Sequence, residues 1–228
     1  MAVVIDVFRA FSVECYLVRN GVKKIIPVAS EELAYELRRK NPGYLLIGER
    51  HGVMLPGFDY GNSPAEIEDV CFSGRTVVHT TSAGTQGLES AAGARVVLTG
   101  SLCNARAVVG YIKENHPDDE ISLVCMGNNG VTEAREDELC AEYIRALLEG
   151  GEPDISGEIE ALKAGSGRRF FDAALRDVFP KRDFYLCTAL DSFDFVLRFQ
   201  YDGDGLGYIT VERRMGGPGP ATAAEPPE

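Results

Sequence analysis

Six short runs of β-branched and aliphatic residues recur along the chain: Val3-Val4-Ile5, Ile25-Ile26-Pro27-Val28, Tyr44-Leu45-Leu46-Ile47, Thr76-Val77-Val78, Val96-Val97-Leu98 and Ile121-Ser122-Leu123-Val124. Runs of this length and content read as buried strands. Helical patterns lie between them. The clearest begins at Ser30, a good cap, and passes through an acidic first turn (Glu31-Glu32) and apolar 3–4 spacing to basic Arg38-Arg39-Lys40, before Asn41-Pro42-Gly43 stops it. Further helices are predicted over 85–92, 104–114 and 137–149. Alternation of this kind leaves an α/β class, a layered α/β/α arrangement with a mostly parallel or mixed sheet. After Gly150-Gly151 the pattern turns helical and aromatic, with helices predicted over 155–164, 168–178 and 191–198 as a C-terminal helical cap, then a short strand over 208–212. Residues 1–212 read as one domain, or two lobes of one, and 213–228, rich in Gly, Pro and Ala, as a disordered tail.

With 228 residues and 45% hydrophobic content, such a chain can bury a sizeable core. Its formal charge of −12, from 35 acidic and 23 basic residues, repels nucleic acid and anionic lipid, and no Lys/Arg cluster overrides it. No apolar run approaches a bilayer span, and the stretch after Met1 is interrupted too soon by Asp6 and Arg9 for a signal peptide. A cytoplasmic enzyme is expected, partnered by a small molecule and at most by a second copy of itself. The six cysteines are scattered without a C-x-x-C pair, as reduced thiols would be, and the three histidines stand apart from them, which disfavours zinc.

Four of the strands run directly into polar loops. Behind the first come Asp6, Arg9 and Ser12, at the carboxyl end of a buried strand, where open α/β sheets place their ligands. The alternative is that Asp6 caps a helix starting near Phe8. Behind the third, Gly48-Glu49-Arg50-His51-Gly52 leads into Pro56-Gly57-Phe58-Asp59-Tyr60-Gly61-Asn62-Ser63-Pro64. Glu49 and Asp59 are hard oxygen donors suited to magnesium, and Arg50 offers a planar fork for an anion. Behind the fourth, His79-Thr80-Thr81-Ser82-Ala83-Gly84-Thr85 combines hydroxyls with a helix start, a pattern that cradles anions and also occurs as plain capping. A last group holds Gly127-Asn128-Asn129-Gly130 and then Arg135-Glu136-Asp137. Four such loops together point to a small anion and a divalent cation.

Familiar phosphate-handling motifs do not fit. No cysteine stands six residues before an arginine. Asp6 lacks a second aspartate two positions on, and Arg50-His51-Gly52 follows the wrong strand for a histidine phosphatase. There is no G-x-x-x-x-G-K-[ST].

The ordered blocks Val3-Val4-Ile5-Asp6-Val7-Phe8-Arg9-Ala10, Gly48-Glu49-Arg50, Pro56-Gly57-Phe58-Asp59 with Gly61-Asn62-Ser63-Pro64, Thr80-Thr81 with Gly84-Thr85, Gly100-Ser101 with Asn104-Ala105, and Glu136-Asp137 with Cys140 resemble the 2-phosphosulfolactate phosphatase family. The resemblance implies a magnesium-dependent phosphatase that converts 2-phosphosulfolactate to 3-sulfolactate in coenzyme M synthesis. Of the matching positions Asp6, Arg9, Glu49 and Asp59 are expected to be catalytic, with magnesium held by Asp6 together with Glu49 or Asp59. Arg50, Asn62, Ser63, Thr80, Thr81, Gly84, Thr85 and Asn104 would bind substrate, and Asp137 would stand close by. Members usually carry a segment ahead of the motif strand, which begins here at residue 3, so a missing edge element is expected. Ser82 stands where the family commonly has Asn, and Glu142 where it has Gly.

Overall fold

In the computed structural model, which describes residues 1–213, the elements run in the order β1 (Ala2–Ile5), α1 (Ala10–Arg19), β2 (Lys24–Pro27), α2 (Glu31–Lys40), β3 (Leu45–Arg50), β4 (Val53–Met54), α3 (Pro64–Ile67), β5 (Thr76–Thr80), α4 (Gly84–Ser90), β6 (Val97–Gly100), α5 (Ala105–Asn115), β7 (Ser122–Cys125), α6 (Arg135–Leu148), α7 (Ser156–Leu162), α8 (Lys181–Cys187), β8 (Phe195–Tyr201) and β9 (Gly207–Arg213). The predicted tail, residues 213–228, lies outside the described residues except for Arg213, which ends β9.

The nine strands form one mixed sheet in the order β4-β3-β5-β2-β9-β8-β6-β1-β7. Two parallel groups, β3-β5-β2 and β6-β1-β7, are joined by the antiparallel hairpin β8-β9, which pairs with β6 on one side and β2 on the other. The chain's own alternation sorts the faces. On β1, Val3 and Ile5 pack with α5, α6 and the aromatic C-terminal segment, whereas Val4 packs with α1, the helix through Phe11, Val13 and Leu17. A third cluster seats Ala34 of α2 on Ile26, Leu46 and Val78. All six cysteines are free thiols, four of them buried.

Two C-terminal expectations fail. Residues 191–198 form no helix: Phe193, Phe195, Leu197 and Phe199 recur every second residue, and from Phe195 the segment is β8, deep in the sheet. Alternation with period two outweighs the capping character of Asp191. In place of a helix over 168–178 there is a short 3₁₀ segment, Ser166–Phe171, after which Asp172 turns extended (ψ 116°) and accepts from the Ala174 N–H. That Asx contact competes with helix continuation. The C-terminal region is therefore part sheet and part cover.

Hydrogen-bond order makes the two parallel groups run in opposite senses, yet the carboxyl ends of β1, β3, β5 and β7 meet at one cavity. Twist accounts for this: roughly 20–25° per step over the five steps from β1 to β5 turns one group by more than a right angle against the other.

Candidate active site

The cavity, of about 160 Å³, is walled by Asp6, Phe8 and Arg9 behind β1, Glu49, His51 and Gly52 at the end of β3, residues 81–83 behind β5, and residues 127–129 behind β7. Asn62, Arg169 and Phe179 complete the lining.

Asp6 is buried, and its Oδ1 accepts from the Ala10 N–H at 3.2 Å, so it caps the first turn of α1 and faces the cavity at once. Burial pushes its carboxyl up to about 7; the charges of Glu49 and Glu136 add to the rise, while the Ala10 bond and Arg169 oppose it. A Cβ on Gly84 would come within 2.9 Å of Asp6 Oδ2, so α4 can approach Asp6 only through glycine. Asp137 accepts from Val7 N–H and Gly127 N–H, each at 2.8 Å, and thereby ties the β1 loop to the β7 loop. Its carboxyl is also raised, by burial first and by Asp6 next. Beside it Glu136 Oε2 is buried with no hydrogen-bond partner.

Glu49 organises the opposite wall. Its Oε1 accepts from Ser82 N–H at 2.8 Å, and its Oε2 from Gly52 N–H at 2.5 Å and from the Ser82 hydroxyl at 3.1 Å. The turn beneath needs left-handed backbone at His51 (φ 53°) and Gly52 (φ 83°), and a Cβ on Gly52 would meet the Phe179 ring at 2.4 Å. Thr81 N–H donates to Thr85 Oγ1 (3.0 Å), Thr85 N–H to Thr81 Oγ1 (3.2 Å) and the Thr85 hydroxyl to the Thr81 carbonyl (3.1 Å). These hydroxyls hold the loop to itself.

Of the residues singled out from sequence, Asp6, Arg9, Glu49, Asn62 and Thr81 line the cavity; Arg50, Asp59, Ser63, Thr80, Gly84, Thr85 and Asn104 do not. Arg50 donates to the carbonyls of Glu49 and Ala29 and to Thr80 Oγ1, and pairs with Glu31 at 3.0 Å. Asp59 is held by Arg38 at 2.6 Å and by Leu46 N–H at 2.8 Å, which fastens its loop to β3. Ser63 caps α3 and donates to Asp183 (2.7 Å), and Asn104 accepts from Ser101 N–H (3.1 Å). A polar residue behind a strand thus serves the loop as readily as a ligand. Arg9 lies in the wall but spends Nη1 on the Val178 carbonyl and Asp183, both at 2.8 Å, and Nη2 on the Gly52 carbonyl at 3.3 Å. Sequence reasoning missed Arg169 and Phe179. The only hint was Arg168-Arg169 set between Gly167 and the aromatic pair Phe170-Phe171, on a segment read as an ordinary helix.

Among the described residues no three Asp, Glu, His or Cys side chains form a ready-made metal cage. Magnesium needs none, since it commonly sits on one or two carboxylates and completes its shell with water and substrate phosphate. Asp6, crowded by like charge at a cavity wall, and the unpartnered oxygen of Glu136 fit a site short of positive charge. The residues present fit that ion.

A sequence model of 2-phosphosulpholactate phosphatase matches residues 1–202. The chain is 31% identical over 214 residues, 92% of this chain and 90% of the relative, to the probable 2-phosphosulfolactate phosphatase of Bacillus subtilis strain 168. It is 35% identical over 180 residues (78% and 76%) to the protein of that name from Symbiobacterium thermophilum, and 33% over 181 residues (76% and 80%) to that from Thermoplasma acidophilum. The match embraces every loop that walls the cavity, and the chain belongs to the 2-phosphosulpholactate phosphatase family, whose members are named as phosphoric monoester hydrolases.

Proposed function

We propose that the chain hydrolyses the phosphate monoester of 2-phosphosulfolactate to 3-sulfolactate and phosphate in the cytoplasm, with magnesium as cofactor. The observation that carries this reading is Asp6: an acid at the end of a buried strand, pushed up to about 7, facing a cavity where four strand ends meet in a chain of this family. Asp6 and Glu49 would hold the ion, which when bound draws charge off the phosphoryl oxygens and the leaving alkoxide. Asp59, engaged by Arg38, is not needed for this. In the reaction an oxygen of water replaces the ester oxygen on phosphorus, and the departing alkoxide takes a proton. With the ion bound, Asp6 would be ionised: it would either form the first bond to phosphorus, water then hydrolysing the phospho-enzyme, or leave the attack to water. In both courses the proton for the alkoxide would come from solvent while the walls keep the reacting groups in register. No helix among the described residues is long and apolar enough to cross a membrane.

A second reading, hydrolysis of another small phosphorylated hydroxy acid, is favoured by Ser82, which lines the cavity at a position where the resemblance set out above implies Asn. Phosphate release from a panel of phospho-acids, with magnesium and with chelator, separates the two. Strongest metal-dependent release from phosphosulfolactate supports the first reading, and strongest release from another acid supports the second. Asp6→Asn should lower turnover at least about 10³-fold, as loss of a group acting at the reacting centre does. Full activity in that variant would remove Asp6 from the chemistry.

A further inference from the structure

Two guanidinium groups reach the cavity, and their surroundings differ. Arg9 is 4% exposed and contacts Asp183, two carbonyl oxygens and the ring of Phe179 at 4.8 Å, so its charge is already balanced inside the protein. Arg169 has no such partner at contact distance. Nη1 reaches Asn128 Oδ1 and Nη2 the Phe8 carbonyl, each only at 3.4 Å; Glu136 stands at 3.8 Å; and Nε is buried with nothing to donate to. A guanidinium carries five donors in a fixed fork that matches a tetrahedral oxyanion, and buried donors left unused are costly.

The side chain is nonetheless held firmly. Its guanidinium carbon lies 5.1 Å from the Phe179 ring centre and 5.4 Å from that of Phe170, which is itself buried against Phe8 at 4.9 Å. Gly167 lets the segment close down, since a Cβ there would meet Phe184 at 2.7 Å. The head is therefore fixed in orientation but short of hydrogen-bond acceptors. It lies on the wall shared with Asp6, whose carboxyl its charge helps to hold down.

We propose that Arg169, rather than Arg9, is the guanidinium that grips the phosphoryl group of the substrate. This assignment rests on the phosphatase reading above, and its test must tell the two apart. Inorganic phosphate binding is measured directly by calorimetry on wild type, Arg169→Gln and Arg169→Lys, alongside kcat and KM on phosphosulfolactate. Loss of the fork should weaken phosphate binding and lower kcat/KM by about 10- to 100-fold, with Lys recovering part of the loss because it keeps charge but not bidentate geometry. Wild-type phosphate affinity in Arg169→Gln overturns the assignment even if turnover persists. Absence of turnover in every protein, with phosphate affinity lost on substitution, overturns the phosphatase reading and keeps the anion site. If both variants fail to fold, the Nε–H resonance of Arg169 in wild type decides: a shift on adding phosphate, absent on adding 3-sulfolactate, supports the proposal. No shift, or a shift with 3-sulfolactate alone, overturns it.

Discussion

Asp183 and the Asp6–Glu136–Asp137 group are both acids taken out of water, and they are treated oppositely. Asp183, fully buried, has Arg9 at 2.8 Å, the Ser63 hydroxyl at 2.7 Å and the Ala65 N–H at 3.0 Å. Burial raises its carboxyl and Arg9 pulls it back. Three partners from two places in the chain converge on it, so the pair ties α8 and α3 to the β1 loop. In the other group the charge of Glu136 raises Asp6, and Asp6 and Glu136 both raise Asp137; one oxygen of Glu136 has no partner, and the nearest cation to it stands at 3.8 Å. Burial alone does not separate these two sets of acids; what differs is whether a cation stands at contact distance to answer the charge.

Removing a partner should therefore hurt most where the set is complete. Asp183→Ala leaves the Arg9 guanidinium buried and unpaired, and is expected to cost about 3–5 kcal/mol in urea unfolding. A cost below about 1 kcal/mol would erase the contrast. The reverse sign is expected at Asp6. Folded, Asp6 keeps its proton up to about pH 7; unfolded, it loses it near 3.8. Between those values the native state binds more protons, so stability falls as pH rises from about 4 to 7 and is level above. In metal-free melts Asp6→Asn should lack this decline and gain on wild type by several degrees, roughly 2–4 °C per kcal/mol for a chain of this size. Parallel melting curves from pH 4.5 to 8 would show that Asp6 is not crowded.

Intermediate in the completeness of its partners is the array around fully buried His79, which joins Glu14 at 3.0 Å to Asn62 at 3.2 Å while Glu14 Oε2 stays unpartnered. His79→Leu is expected to cost about 1–3 kcal/mol in chemical unfolding through the stranded polar groups. It should also raise KM more than it lowers kcat, because Asn62 loses its anchor; equal falls would make the array purely structural. The smallest effect belongs to the half-exposed Arg38–Asp59 pair. Asp59→Asn should cost about 1 kcal/mol or less, and its turnover should exceed that of Asp6→Asn by at least about a hundredfold. Equal losses would return Asp59 to the chemistry.

The parallel strands were legible because each is a β-branched run bounded by turn residues, and the loops behind them because polar residues crowd there without apolar cover. The cavity residues Asp6, Glu49, Asn62 and Thr81 followed from that. Arg50 and Asp59 did not, since sequence places a residue behind a strand but not the direction in which its side chain leaves the loop. Arg169 was out of reach for another reason. It arrives from a 3₁₀ turn whose position depends on Phe170 packing against Phe8, a contact between residues 162 positions apart. The strand β8 could have been read, since its period of two was present in Phe193, Phe195, Leu197 and Phe199.

The central hairpin has a consequence for the order in which the protein can be made. A ribosome releases β1 to β7 first, and those strands can assemble only as two separate parallel groups. Until β8 and β9 emerge, β2 and β6 each present a bare edge, the kind of surface that recruits other chains. Because the cavity draws its walls from both groups, competence to bind arrives all at once, with the closing of that seam.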